Sequence, residues 1–251
     1  ERFFSHPIDD AARSRLYEFL LRRRIAPTCQ YEPEPRPRVE HLDSVLERGT
    51  NTVSTGYVRE NELDTWIERV RPFAEELRKR GALDRAYVYG FDEVTPPGYD
   101  RLRVAYERIR KEAPGLARSV TIGPAEDISK LRDLVGAIDI WIPQNDRLTL
   151  FYGERIAAGE ELWTYVSMWP RRPYANLFID YTALEHRIMF WQLRQVGATG
   201  FLYYCINLWT SNTIGEPPDR EPAALPDPAD RAAVDRGARW PDVPWNTFTG
   251  P

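Results

Sequence analysis

Two adjacent carboxylates stand out among the residues whose types could do chemistry. Asp92 and Glu93 come directly after the apolar and aromatic run RAYVYGF and before the proline-rich turn VTPPG. Carboxylates act as general acids, general bases or charge stabilisers when they project into one pocket. Neighbouring side chains of a regular strand point to opposite faces, so both reach one site only where the strand bends or ends, and Gly90 offers a bend. The alternative is that the pair caps a helix or anchors a salt bridge.

The other reactive side chains form no catalytic or metal-binding pattern. The histidines His6, His41 and His186 are scattered, and no Ser or Cys stands in a nucleophile elbow. The two cysteines, Cys29 and Cys205, have no second ligand at short spacing, so they make neither a zinc site nor a disulfide framework. We therefore predict no metal and no cofactor, which leaves carboxylate chemistry as the main enzymatic option.

Aromatic and amide side chains follow several of the apolar runs. The chain has 8 Trp and 13 Tyr, many of them between positions 141 and 209, and flat rings with polar edges suit sugar rings. Alternation along a strand lets only about half of these side chains face a common interior, and the rest would pack under helices. The candidate substrate-binding residues are Trp141, Asn145, Trp163, Tyr165, Tyr174, Asn176, Tyr203, Asn207 and Trp209.

The elements that must position these residues alternate between helix and strand, which predicts a parallel sheet covered by helices. Helices are predicted over 9–24, 39–48, 60–80, 99–113, 128–135, 146–159 and 178–196. The strands are IAPTCQY, TNTVSTGY, RAYVYGF, RSVTIG, IDIWIP, ELWTYVSMW and TGFLYYCIN. The pattern predicts an α/β fold, a (β/α)8 TIM-type barrel over 1–214, with the first strand upstream of Glu1 and an active site at the carboxyl ends of the strands. Residues 215–251 read as a Pro-rich loop or extension of the same domain.

Composition and charge argue against a membrane span and against nucleic acid as a partner. Hydrophobic residues make up 42% and charged residues 29%, which is globular, and no apolar run approaches the roughly 20 residues that span a bilayer. The net charge of −4 comes from 38 acidic and 34 basic residues that are interleaved along the chain. No basic stripe is present to neutralise phosphates, so nucleic acid is not an expected partner.

Four strings in order carry a resemblance to a known family. YVYGFDE, the stretch WTYVSMWPRRPYANLFIDY over 163–181, the helix segment ALEHRIMFWQ and GFLYYCINLW over 200–209 together resemble the catalytic domain of glycoside hydrolase family 123. The likeness runs from about Leu16 to Trp209. The family contains β-N-acetylgalactosaminidases and many bacterial members.

The resemblance implies a retaining mechanism in which the substrate's own 2-acetamido group is the nucleophile. It implies that Glu93 is the general acid and then the general base at the glycosidic oxygen. Asp92 would orient the acetamido group and stabilise the positive charge that develops as it attacks C1. Around that group the resemblance favours Tyr174, ahead of Tyr165 and Tyr203, as the donor to the carbonyl oxygen, and Trp141, Trp163 or Trp209 as walls of the methyl pocket.

The expected substrate is a glycan or glycolipid that ends in β-linked N-acetylgalactosamine or a related 2-acetamido sugar. Such glycans are met outside the cytoplasm, so the expected location is secreted or periplasmic. Two alternatives stay open. One is a glycosidase with another sugar specificity on the same fold, and the other is a noncatalytic carbohydrate-binding barrel in which the turn from Thr95 to Gly98 misplaces the carboxylates.

Overall fold

The central strands are short runs that are buried on both faces, as in parallel sheets covered by other elements. In the computed structural model, which describes residues 9–28, 31–123, 128–179, 181–203 and 206, all five residues of the strand Ala86–Gly90 are buried. Within the described residues, six strands form one sheet in sequential order, and all neighbours pair in parallel. They are β1 (Val53–Val58), β2 (Ala86–Gly90), β3 (Ala117–Ile122), β4 (Ile140–Pro143), β5 (Glu161–Val166) and β6 (Gly200–Tyr203).

Helices connect and cover these strands. The longest of the described helices, α3 (Leu63–Lys79), has an apolar face with three- and four-residue spacing. This face buries Trp66, Ile67, Val70, Phe73, Ala74 and Leu77. The last helix begins at a capping box, in which Thr182 accepts from the backbone N–H of Glu185 and the Glu185 carboxylate accepts in return. The helices are α1 (Asp10–Leu21), α2 (Leu42–Glu47), α3 (Leu63–Lys79), α4 (Tyr99–Glu112), α5 (Leu150–Ala157) and α6 (Ala183–Gln195), and a 3₁₀ segment covers Ile128–Leu134.

The sheet is curled, and two aromatic rings demonstrate it. Neighbouring strands lie about 4.8 Å apart, so β2 and β5 would be separated by about 14 Å in a flat sheet. The rings of Tyr87 on β2 and Trp163 on β5 nevertheless meet edge to face with centroids 5.1 Å apart. The inner face therefore closes on itself like part of a barrel wall.

Residues alternate between the two faces of this curled sheet. The inner face holds a cluster of Tyr87, Tyr89, Ile140, Ile142, Trp163, Tyr165 and Leu202. The outer face packs against the helices in a larger cluster that includes Val88, Val120, Ile122 and Trp141. Inner-face side chains at the ends of the strands therefore point toward one common space.

The prediction of a strand over IAPTCQY is wrong for the described residues of that segment. Residues 25–28 and Tyr31 are not in a strand, and 29–30 lie outside the described residues. Pro27 and three further prolines up to Pro37 remove backbone donors that a ladder needs. The segment instead runs past the edge of β1, where Arg36 and Ser54 exchange backbone hydrogen bonds of 3.0 and 3.2 Å.

The mixed α/β class and the parallel sheet are confirmed, and the six strands form a partial barrel. Closure into eight strands and the extent of the domain to residue 214 stay predictions, and the extension over 215–251 lies outside the described residues. Among the helices that the structure describes, none has the length and apolar character needed to span a bilayer.

Candidate active site

The two carboxylates share one site because the backbone turns sharply after β2. Phe91 has φ 52° and Glu93 has φ 46°, both in the left-handed region that side chains other than glycine rarely adopt. Each such residue costs roughly 1–2 kcal/mol, so the surrounding contacts must hold the turn. The ring of Phe91 packs edge to face on Tyr106 of α4, with centroids 5.6 Å apart, and this fixes the start of the turn. Asp92 and Glu93 are then both exposed at the rim.

Gly90 has a different role from the bend that the sequence suggested. A Cβ at this position would lie 2.7 Å from the carbonyl oxygen of Val58 and 2.8 Å from its Cβ. The glycine therefore permits the close pairing of β2 with β1, while the bend itself is made at Phe91 and Glu93.

Hydroxyl groups surround the carboxylate of Asp92. Tyr89 and Thr121 each donate to Oδ1 at 2.7 Å, and Tyr31 donates to Oδ2 at 3.1 Å. The backbone N–H of Asp92 donates to the hydroxyl of Tyr57 at 3.4 Å. Two donors saturate Oδ1, whereas Oδ2 has one and keeps acceptor capacity for a ligand.

Glu93 shares Thr121 with Asp92, but its carboxylate has a different partner. Its backbone N–H donates to Oγ1 of Thr121 at 2.9 Å, and the hydroxyl of Tyr165 donates to its Oε1. Within the described part of the chain, Oε2 takes no hydrogen bond, so this oxygen is available to a ligand. Gly123 at the end of β3 leaves room for the side chain, because a Cβ there would come within 3.1–3.2 Å of three Glu93 carbon atoms.

The tyrosines around the two carboxylates have raised pKa values, so their hydroxyls stay protonated at neutral pH. Burial, followed by the charge of Asp92, raises the pKa of Tyr31 and raises that of Tyr89 well above its ordinary value. Burial, followed by the hydrogen bond to Glu93, raises the pKa of Tyr165. The pKa of Tyr57 is also raised, mainly by burial. The hydrogen bonds from Tyr31, Tyr89 and Tyr165 to the carboxylates therefore do not depend on a titration near neutral pH.

The loop after β5 reaches the same rim as Asp92, because parallel strands end on the same side of the sheet. Tyr174 and Trp169 on this loop are each about half exposed, and Arg171 lies over the Trp169 ring at 5.1 Å. Asn176 is only 1% exposed. It donates to the carbonyls of Ser167 and Pro170, so Asn176 shapes the loop rather than facing a ligand.

Asn145 also ties the loop to the sheet. Its side-chain amide donates to the carbonyl of Ala175 at 3.2 Å, and its backbone N–H donates to that of Tyr165 at 3.1 Å. The neighbouring Gln144 donates to the carbonyl of Trp169 at 3.0 Å. The predicted amide at this strand end is present at the rim, but its contacts are structural.

Three aromatic candidates do not reach the carboxylates. Trp141 is fully buried on the outer face of the sheet, against Phe151 and Tyr152. Trp163 lies on the inner face but near the start of β5, packed on Tyr87 and 8% exposed. Tyr203 belongs to an outer-face cluster between β6 and α6. Strand parity explains two of these placements, since Ile140, Ile142 and Leu202 occupy the inner positions instead. Asn207 and Trp209 lie outside the described residues.

Sequence reasoning missed four residues of the site: Tyr31, Tyr57, Tyr89 and Thr121. A signal was present, because all four lie in predicted strands that precede or follow the acidic pair. What the sequence did not show is that these hydroxyls converge on one residue, Asp92. In the part of the chain that the structure describes, no cluster of three His, Cys, Asp or Glu residues could hold a metal ion.

The candidate site is thus a pair of carboxylates at the carboxyl ends of the strands of a curled parallel sheet. The two carboxylates differ in the groups that donate hydrogen bonds to them. The family model described as the catalytic domain of glycoside hydrolase 123 matches residues 38–235. The chain therefore belongs to glycoside hydrolase family 123, and the resemblance drawn from the sequence is confirmed. As a member of this family it is a glycoside hydrolase. A search of curated proteins gives no match to the chain.

Proposed function

We propose that the protein is a retaining exo-glycosidase that releases terminal β-linked N-acetylgalactosamine, or a related 2-acetamido sugar, by substrate-assisted catalysis. The observation that carries the proposal is the unequal environment of two adjacent carboxylates. Among the described residues, the Asp92 carboxylate accepts three hydroxyl hydrogen bonds, whereas the Glu93 carboxylate accepts one and has no hydrogen bond at Oε2. One carboxylate is thus built to stay in one position, and the other keeps an oxygen for proton exchange.

Asp92 has the contacts that an orienting anion needs. The acetamido N–H would donate to Oδ2, the oxygen that still has acceptor capacity beside the 3.1 Å bond from Tyr31. As the acetamido oxygen attacks C1, positive charge develops on the amide nitrogen, and the carboxylate stabilises it. Because Tyr89 and Thr121 fix Oδ1 from the inner face, the carboxylate does not have to reorganise during the reaction.

Glu93 has the contacts that a general acid and base needs. With Oε1 bonded to the Tyr165 hydroxyl, the transferable proton is carried on Oε2. It moves to the glycosidic oxygen while the C1–O bond breaks and the acetamido oxygen forms its bond to C1. The resulting oxazolinium ion is then opened by water, whose proton returns to Oε2, and the sugar leaves with its original anomeric configuration.

The loop after β5 supplies exposed surface for the sugar itself. Tyr174 is the favoured donor to the acetamido carbonyl oxygen, because it is half exposed on the rim that carries both carboxylates. The half-exposed ring of Trp169 offers a flat apolar surface on the same loop. Tyr165 instead serves Glu93, and the buried Trp141 is not part of the proposed sugar pocket.

The substrate would be a glycan or glycolipid with a terminal β-linked 2-acetamido sugar, and the proposed location is secreted or periplasmic because such glycans are met there. Aryl glycosides isolate the sugar preference from the aglycone. The test is the release of nitrophenol from matched β-N-acetylgalactosaminide, β-N-acetylglucosaminide and β-galactoside substrates by the protein and by its Glu93→Gln and Asp92→Asn variants.

Turnover that is confined to the acetamido sugars and abolished in both variants is the expected result. Activity on the plain galactoside that equals the activity on the acetamido sugars would overturn the substrate-assisted mechanism in favour of another glycosidase. Binding of all three sugars with no turnover by the folded protein would favour a noncatalytic carbohydrate-binding role.

A further inference from the structure

We propose that Thr121 is a positioning residue whose single hydroxyl sets the two carboxylates relative to each other. Its Oγ1 donates to Oδ1 of Asp92 at 2.7 Å and at the same time accepts from the backbone N–H of Glu93 at 2.9 Å. The carboxylate of Asp92 and the backbone of Glu93 are therefore both held by one atom. The inference rests on the proposed roles of Asp92 and Glu93 and adds a residue to that site.

The position of Thr121 suits a fixed reference point. It is 1% exposed near the end of β3, where it is in register with Ile142 of β4. Threonine is branched at Cβ, so its χ1 angle is restricted in a strand and its hydroxyl is held in one direction. The reacting groups lie on an exposed turn, whereas the atom that aligns them belongs to the buried sheet.

The turn needs this bond because its backbone is strained. Glu93 has φ 46°, and its N–H points at the Thr121 hydroxyl rather than at another backbone group. Without the hydroxyl, the turn loses the hydrogen bond that compensates for the left-handed conformation, and Oδ1 of Asp92 loses one of its two donors. Both carboxylates would then move independently of each other.

A merely structural threonine would behave differently from a positioning one. A packing role would lower stability and would be satisfied by valine, which has the same shape. A positioning role requires the hydroxyl, so serine should substitute and valine should not. Displacements of about 1 Å at a reacting centre cost on the order of 100-fold in rate.

The experiment compares Thr121→Val with Thr121→Ser, using aryl β-N-acetylgalactosaminides with a good and a poor leaving group. The expected result is that Thr121→Val lowers kcat on the order of 100-fold with little change in KM, and lowers it more for the poor leaving group. Thr121→Ser should keep kcat within about tenfold of the parent value. If Thr121→Val does not fold, Thr121→Ala against Thr121→Ser makes the same comparison of a methyl with a hydroxyl.

Thr164→Val is the matched control. Thr164 is a fully buried threonine of the same sheet, and its hydroxyl has no hydrogen-bond partner among the described residues. Its replacement should leave kcat unchanged. Equal kcat values for Thr121→Val and the parent, equal losses in Thr121→Ser and Thr121→Val, or an equal loss in Thr164→Val would each overturn the positioning role. If the parent hydrolyses another sugar instead, the proposed function fails, and the same variants on that sugar still decide the role of Thr121.

Discussion

The hydroxyl of Tyr165, on the inner face of β5, donates a hydrogen bond to Oε1 of Glu93, which lies 72 residues earlier on the turn after β2. The bond crosses the curled face of the sheet over β3 and β4. It therefore depends on the curvature that also brings Tyr87 against Trp163. Glu93, the proposed proton donor, is thus held from the opposite side of the partial barrel, and among the described residues no group forms a hydrogen bond with its Oε2.

Replacing Tyr165 with phenylalanine tests this hold on Glu93. Tyr165→Phe removes only the hydroxyl, so Glu93 becomes free to rotate, and kcat should fall about 10- to 100-fold with KM nearly unchanged. The free energy of unfolding should change by no more than about 1.5 kcal/mol, because a single hydrogen bond to an exposed side chain is lost. Steady-state kinetics and urea unfolding measure the two effects. A parent-like kcat would mean that Glu93 does not need the contact.

Gly123 offers a steric test of the same placement. An alanine Cβ would lie 3.1 Å from Cδ of Glu93, which is tighter than ordinary van der Waals contact, so the carboxylate must shift by a few tenths of an ångström. Gly123→Ala should lower kcat about tenfold or more, while the thermal unfolding midpoint stays close to that of the parent.

The control for Gly123→Ala is Gly153→Ala in α5. Apart from its chain neighbours and the backbone of its own helix, no described atom lies within 4 Å of the Cβ that would be added there. Alanine in a helix interior is favoured over glycine by about 0.5–1 kcal/mol. This variant should be slightly more stable than the parent and equally active. If both alanine variants keep full activity, the fit of Glu93 against Gly123 has no role in the reaction.

Stability should fall in alkali because buried tyrosines of the sheet and of α4 have raised pKa values. Burial raises the pKa of Tyr89, Tyr106 and Tyr165, whereas the same residues in the unfolded chain ionise near pH 10. Below that pH both states are protonated and the stabilisation is complete. Above it the unfolded state loses protons that the folded state keeps, so each tyrosine lowers the free energy of unfolding by about 1.4 kcal/mol per pH unit.

Urea unfolding at intervals between about pH 8 and about pH 11 measures this slope, with phenolate absorbance as a second readout. The phenolate absorbance of the buried tyrosines should rise together with unfolding. Phenolate absorbance that titrates to completion near pH 10 in the folded protein would contradict the burial of these hydroxyls.

Much of the fold could be read from the sequence. The apolar spacing from Trp66 to Leu77 and the following Gly81 predict α3, and the runs that became β2 to β6 are apolar enough to be recognised as buried strands. The acidic pair was found by its position after β2. These features are local, since each depends on spacing within one element.

The parts that could not be predicted depend on long-range geometry. IDIWIP is apolar at nearly every position, so its sequence has no polar alternation to show that Trp141 faces outward while Ile140 and Ile142 face inward. The convergence of Tyr31, Tyr89 and Thr121 on Asp92 depends on three separate segments that the curled sheet brings together. The spacing of these residues along the chain does not indicate that they lie close together in the fold.

The most direct test of the central claim changes the nucleophile within the substrate. Aryl β-N-acetylgalactosaminides whose acetyl group carries zero, one, two or three fluorine atoms present a progressively less nucleophilic carbonyl oxygen, with little change in size. If the acetamido group attacks C1 under the guidance of Asp92, kcat/KM should fall steeply with each fluorine, and the first sugar released should keep the β configuration by NMR. A kcat/KM that is independent of fluorination, or an inverted first product, would contradict the substrate-assisted mechanism.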